Sequence, residues 1–256
     1  MKILVLGNSQ VGALKVGFEN DFSDLSPEIE FTFLGIPQQG FNHFRLEGKS
    51  FVIQKSFWSA IVSNCAPIRF PFDLSIFDRI VLVAGLSYLS PHLLYTQSIS
   101  SVCRFSDSLL ESSIITPPNT WDHIINTSSI CASLMSVFRE RVVFIGNALP
   151  GPREPLVKFL SNLPEDLQHI IRINSERIAS LVEAKNLANS SSILLPPESV
   201  LCENKISLKA DYYINGLRVN GEINGDYWHP NARYGSIMIR EFLKFAVPGC
   251  VLPYEP

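Results

Sequence analysis

The sequence predicts an α/β fold, a mainly parallel sheet of about five strands with helices on both of its faces. Three observations lead there. Short apolar runs rich in β-branched residues or Phe alternate with longer helical stretches. The runs are continuously apolar rather than alternating, which marks strands covered on both sides. Four of the junctions that follow them place glycine beside a small polar residue, as a backbone that must approach a ligand closely would. A βαβα succession returns the chain in the same direction after each helix, and a parallel sheet results.

The first strand, Ile3–Leu6, runs into Gly7-Asn8-Ser9 and a helix from Ser9 to about Phe18. The second is Ile29–Leu34. Residues 36–75 form a long connection with a hairpin around Glu47-Gly48. The third strand, Ile80–Ala84, precedes helices from Pro91 to about Leu110 and from Trp121 to about Arg139. Val142–Ile145 is the fourth strand. A helix from Glu165 to about Ala188 follows, with Ile170, Ile171, Ile178, Leu181 and Val182 along one stripe. Ile193–Leu195 is the fifth strand. Residues 207–225 alternate apolar and polar around Asn215-Gly216 and Asn220-Gly221, the pattern of a small hairpin excursion. The last helix runs from Ala232 to Phe245. No repeat or linker-like tract interrupts the chain, so the expected organisation is one domain over residues 1–256, with insertions at about 36–75 and 207–225.

Composition narrows the function. Hydrophobic residues make up 46% and charged ones 18%, enough apolar surface for a substantial core and too few charges for a disordered tail. A net charge of -3 without a Lys/Arg cluster argues against nucleic acid as a partner. The first apolar run is too short for a secretion signal, and no run approaches the ~18 apolar residues of a membrane span. Five scattered cysteines form neither CxxC pairs nor a disulfide framework, which suits a reducing, cytoplasmic setting.

Ligands of an open parallel sheet bind beyond the carboxyl ends of its strands, so the junctions there carry the chemistry. They are Gly7-Asn8-Ser9, Gly35 through Gly40, Gly85-Leu86-Ser87 and Gly146-Asn147. The first is not a dinucleotide fingerprint, because GNSQVG lacks the middle glycine. It is not a phosphate loop, and it misses the last glycine of a GxSxG nucleophile elbow. What it offers is a serine at a strand-to-helix turn, its amide at a helix N-terminus where an oxyanion can be held. The same serine could simply cap the helix.

A nucleophilic serine needs a base. Of the five histidines, His43 lies in a long loop, and His92, His123 and His169 fall on helical stretches, where structural roles prevail. His229 sits in NGDYWHPNARYG, three residues after Asp226 and just before Pro230. That spacing lets the carboxylate fold back onto one imidazole nitrogen and leave the other outward. No second His or Cys stands near His229 to complete a metal site, and no motif asks for a cofactor.

Gly7-Asn8-Ser9 after the first strand, with Asp226-x-x-His229 before the last helix, is similar to the SGNH (GDSL-type) hydrolases, a group that includes carbohydrate O-acyltransferase-like members. The resemblance implies a flavodoxin-like three-layer αβα sandwich, with Ser9 as nucleophile, His229 as base and Asp226 as its orienting partner. It implies an esterase acting through an acyl-enzyme on small-molecule or glycan esters, often acetyl esters of carbohydrates. A polysaccharide O-acetyltransferase is the alternative, as is a non-catalytic glycan-binding protein on a decayed hydrolase fold. The family's oxyanion hole uses the serine amide, a glycine amide after the second strand and an Asn after the third. Gly40 fits the glycine better than Gly35, being further into its loop. The third strand is followed by Ser87, not Asn, and Asn147 follows the fourth, so either could supply the side-chain donor. Asn8 and Gln10 stand where the family usually has Asp and often Leu.

Overall fold

All five apolar runs become strands of one sheet. The computed structural model describes residues 1–36, 44–53, 70–83, 129–145, 148, 192–203, 207–214, 217–219, 222–224, 229–247, 249–250 and 252. In chain order the elements begin with β1 (Lys2–Gly7), α1 (Val11–Asp21) and β2 (Glu30–Gly35). Next come β3 (Phe44–Glu47), β4 (Ser50–Ile53), β5 (Phe72–Asp73) and β6 (Arg79–Val83). Then follow α2 (Ser129–Phe138), β7 (Val142–Ile145) and β8 (Ser192–Leu194). The last are β9 (Leu217–Val219), β10 (Glu222–Asn224) and α3 (Ala232–Ala246). The helical stretches expected at 91–110 and 165–188 lie outside the described residues, as does the first part of the one expected from Trp121.

The large sheet has the spatial order β2-β1-β6-β7-β8, and every pairing in it is parallel. Counted along the chain, its strands lie 2-1-3-4-5, the flavodoxin-like doubly wound order. Among the described residues, β6 is the third parallel strand and β7 the fourth, as counted from the sequence. Alternate residues of each strand face opposite layers. Ile3, Val5, Val81, Val83, Val143 and Ile145 pack under α1 and α3, with Leu14, Met238, Ile239 and Phe242 among their neighbours. Leu4, Leu6, Ile80, Leu82, Val142 and Phe144 pack on the other side, with Leu134 and Phe138 of α2. Both faces are covered, which is why these runs carry no polar alternation.

The long connection after β2 contributes a second, antiparallel sheet in the order β3-β4-β5. Its hairpin turns at Gly48, as expected, with φ +60 in a two-residue loop between the paired Glu47 and Ser50. Phe44 and Phe51 stack across it at 4.4 Å and close over the α2 side of the core. In the second excursion β9 and β10 pair antiparallel, while Asn215-Gly216 and Asn220-Gly221 lie outside the described residues. Its first half differs from the expected alternation: Ala210–Tyr212 is a 3-10 turn. Burial of Tyr212 and Tyr213 in the α1/α3 side of the core draws the chain inward there.

Three features fix the carboxyl edge of the sheet. Gly35, Gly7, Val83, Ile145 and Leu194 are paired in one continuous row, so the strands leave the sheet at one level. Gly7 must be glycine, because a Cβ there would run into the Val83 carbonyl and lie 2.7 Å from Val83 Cβ. The chain order reverses beside β1, which puts the crevice of a doubly wound sheet at the end of β1.

Candidate functional site

Ser9 stands at that crevice, two residues beyond β1 and two before α1. The turn around it is built from its neighbours. Asn8 N–H donates to Val83 O at 3.1 Å, and Gln10 N–H donates to Asn8 Oδ1 at 2.9 Å. Val11 N–H then donates to Asn8 O and Gly12 N–H to Ser9 O, which starts the helix. The N-cap position of α1 is Gln10, without a side-chain capping bond, so the helix expected from Ser9 begins at Val11. Ser9 Oγ is engaged elsewhere. It lies 2.6 Å from His229 Nε2, across 220 positions of sequence.

His229 is held by the loop that leads into α3. Ile214 N–H donates to His229 O at 3.4 Å, and Tyr213 bridges Pro230. Asn231 fastens the next residue in several directions at once. Its N–H donates to Tyr212 O at 2.8 Å, and its Nδ2 donates to Asp211 O at 2.7 Å and Tyr213 O at 3.1 Å. Its Oδ1 accepts the Tyr234 N–H at 3.2 Å, capping α3. Burial pushes the Tyr213 phenol above its usual range, with Cys202 adding in the same direction, so this support stays neutral.

The two helices behind these loops meet backbone to backbone. A Cβ on Gly235 would overlap the Ala13 carbonyl group and lie 2.9 Å from Leu14 Cα. One on Gly17 would collide with Ser236 N, Ala232 O and Gly235 C. Ser236 Oγ donates to Gly17 O at 3.1 Å in this buried contact. The α1–α3 contact thus sets how far apart the segments carrying Ser9 and His229 can be.

Of the residues singled out in the sequence, Ser9 and His229 are brought together. Asp226, Gly40, Ser87 and Asn147 lie outside the described residues. The strands before Ser87 and Asn147 end on the row that also ends β1. Gly35 ends β2 in register with Gly7, and a Cβ on it would make ordinary contact with Asn8 O at 3.6 Å. Two residues with structural parts here were not picked out as supports. Asn231 had a readable signal, an Asn immediately before a helical pattern. Gln10 had none: its Oε1 accepts the Ala148 N–H at 2.8 Å, a contact made only in the folded chain.

Among the described residues, no helix is long and apolar enough to cross a membrane. No family model matches the chain, and no curated protein matches it. Several solved structures are similar to it, among them the following two. One is a candidate acylhydrolase from Bacteroides fragilis, 11% identical over 95% of this chain and 86% of that one, with a TM-score of 0.38. The other is an extracellular lipase from Streptomyces rimosus, 13% identical over 96% of this chain and 100% of that one, with a TM-score of 0.42.

Proposed function

We propose that this protein is a serine-dependent esterase, with Ser9 as nucleophile and His229 as general base. The observation that carries the reading is the 2.6 Å contact between Ser9 Oγ and His229 Nε2 at the carboxyl edge of the parallel sheet. With Nδ1 protonated, Nε2 accepts the Ser9 hydroxyl proton as Oγ attacks the ester carbonyl. Asp226, three residues before His229, orients the ring and stabilises the imidazolium. The oxyanion is held by the amides of Ser9 and Gly40 and by a side-chain donor, Ser87 or Asn147. His229 returns its proton to the leaving alcohol, and water then resolves the acyl-enzyme. The acyl group is acetyl and the alcohol part of a carbohydrate, a choice supported by the SGNH resemblance, as is the reducing, cytoplasmic setting by the scattered cysteines.

Hydrolysis of p-nitrophenyl acetate by the purified protein tests this. Ser9→Ala is expected to lower turnover by roughly 10⁴-fold or more, and to abolish labelling by a fluorophosphonate probe. Equal hydrolysis by wild type and Ser9→Ala would refute the reading. Release of free acetate from an acetylated sugar, compared with transfer to a sugar acceptor, separates esterase from acetyltransferase.

A further inference from the structure

We infer that Gln10 is a positioning residue that locks the Ser9 turn to the segment leaving β7; this rests on the esterase reading above. Residue 10 is fastened on two sides. Its backbone N–H donates to Asn8 Oδ1 at 2.9 Å, and its side-chain Oε1 accepts the Ala148 N–H at 2.8 Å. Both partners of the second bond are buried, Gln10 to 8% and Ala148 to 5% exposure, so no water substitutes for the acceptor without rearrangement. Ser9 stands between the two fastened residues, Asn8 and Gln10.

The geometry explains why this position takes a long amide. β7 is not a neighbour of β1; β6 lies between them. Two strand spacings amount to about 10 Å, beyond the reach of the turn's backbone. Ala148 stands three residues past Ile145, the end of β7. A side chain with two methylenes and a terminal acceptor spans the gap. The bond therefore sets the depth of Ser9 relative to Ala148. Loss of the acceptor lets the turn rotate and misplaces Oγ, which lies only 2.6 Å from Nε2.

The test compares Gln10→Met, of similar length without an acceptor, with Gln10→Glu, which keeps one. Gln10→Met is expected to lower kcat for p-nitrophenyl acetate by about 10-fold while KM stays within about 2-fold. Gln10→Glu is expected to keep kcat within about 3-fold of wild type, because its carboxylate still accepts the Ala148 N–H. Thermal melts identify the folded variants. Unchanged kcat in Gln10→Met, a change in KM alone, or a Gln10→Glu variant as slow as Gln10→Met overturns the proposal. Should Gln10→Met not fold, Gln10→Glu decides alone: kcat near wild type supports it, and a 10-fold loss overturns it. Wild type no faster than Ser9→Ala overturns the esterase reading and this proposal together; an active wild type with an indifferent Gln10→Met overturns only this one.

Discussion

Alanine at Gly235 tests whether the contact between α1 and α3 sets the distance from Ser9 to His229. The new Cβ would lie 2.9 Å from Leu14 Cα, where ordinary contact begins near 3.4 Å, and would overlap the Ala13 carbonyl outright. α3 must therefore retreat by about 0.5 Å at Leu14, and by more at the carbonyl. Ala13 lies one helical turn beyond Ser9, and Gly235 lies six residues beyond His229. A retreat of about 1–1.5 Å, set by the carbonyl, stretches the 2.6 Å contact past the range of a good hydrogen bond. Overpacking of this kind costs about 1–3 kcal/mol of stability, and a misplacement near 1 Å lowers kcat by roughly 10–100-fold. Gly12 is the control, since a Cβ there meets nothing within 4 Å. Gly12→Ala should stabilise α1 by about 0.5–1 kcal/mol and leave kcat unchanged. Denaturant unfolding and p-nitrophenyl acetate kinetics on both variants read the two effects separately. A Gly235→Ala protein that loses stability but keeps full kcat would refute the transmission to the site. One that melts like wild type would refute the close contact itself.

Two further outcomes follow from the supports. Asn231→Ala should destabilise by about 1–3 kcal/mol, because it removes the cap of α3 and the bonds to Asp211 O and Tyr213 O. Asn231→Ser, which keeps a capping oxygen, should lose about 1 kcal/mol less; equal unfolding midpoints for the two would show that the cap contributes nothing. Asp73 gives a pH dependence. Hydrogen bonds from the Ser75 side chain and backbone hold its carboxyl below the usual 3.8, so its contribution is present above that value and disappears as pH falls through the lowered one. Wild type and Asp73→Asn should therefore converge in stability on acidification below about pH 4; a gap that stays constant through the acid range contradicts this.

The five strands were legible because a strand covered on both faces needs apolar residues at every position, as Ile3–Leu6 and Val142–Ile145 have. Boundaries moved by a residue at β1, β2, β6 and β8, where the apolar run and the paired run differ. α1 moved more, for local reasons. The bond from Gln10 N–H to Asn8 Oδ1 delays its start to Val11, and Phe22, buried and bonded back to Phe18 O, extends its end to Asp21. The pairing of Ser9 with His229 was legible because both stand at element boundaries that an α/β chain brings to one edge. The contact of Gly17 with Gly235 was not, since neither glycine interrupts its helical pattern in a way that names a partner. The tie from Gln10 to Ala148 was equally hidden, because it depends on β7 lying two strands from β1.

The alternative that Ser9 merely caps a helix can be decided from the bonds around it. A capping serine accepts an N–H of the first helical turn through its Oγ. Here the N–H groups of Gln10, Val11 and Gly12 go to Asn8 Oδ1, Asn8 O and Ser9 O, so the turn is closed without the Ser9 hydroxyl. Three adjacent side chains thus carry three separate tasks. Asn8 shapes the turn, Gln10 ties it to the segment after β7, and Ser9 meets the imidazole of His229. A turn needed only to begin α1 would require the first of these and neither of the others. Asn8 and Gln10, at the positions where the resembled family has Asp and Leu, each hold a bond of this turn. Both amides are buried and bonded, one to the backbone that precedes the helix and one across the sheet edge, on either side of the hydroxyl they hold in place.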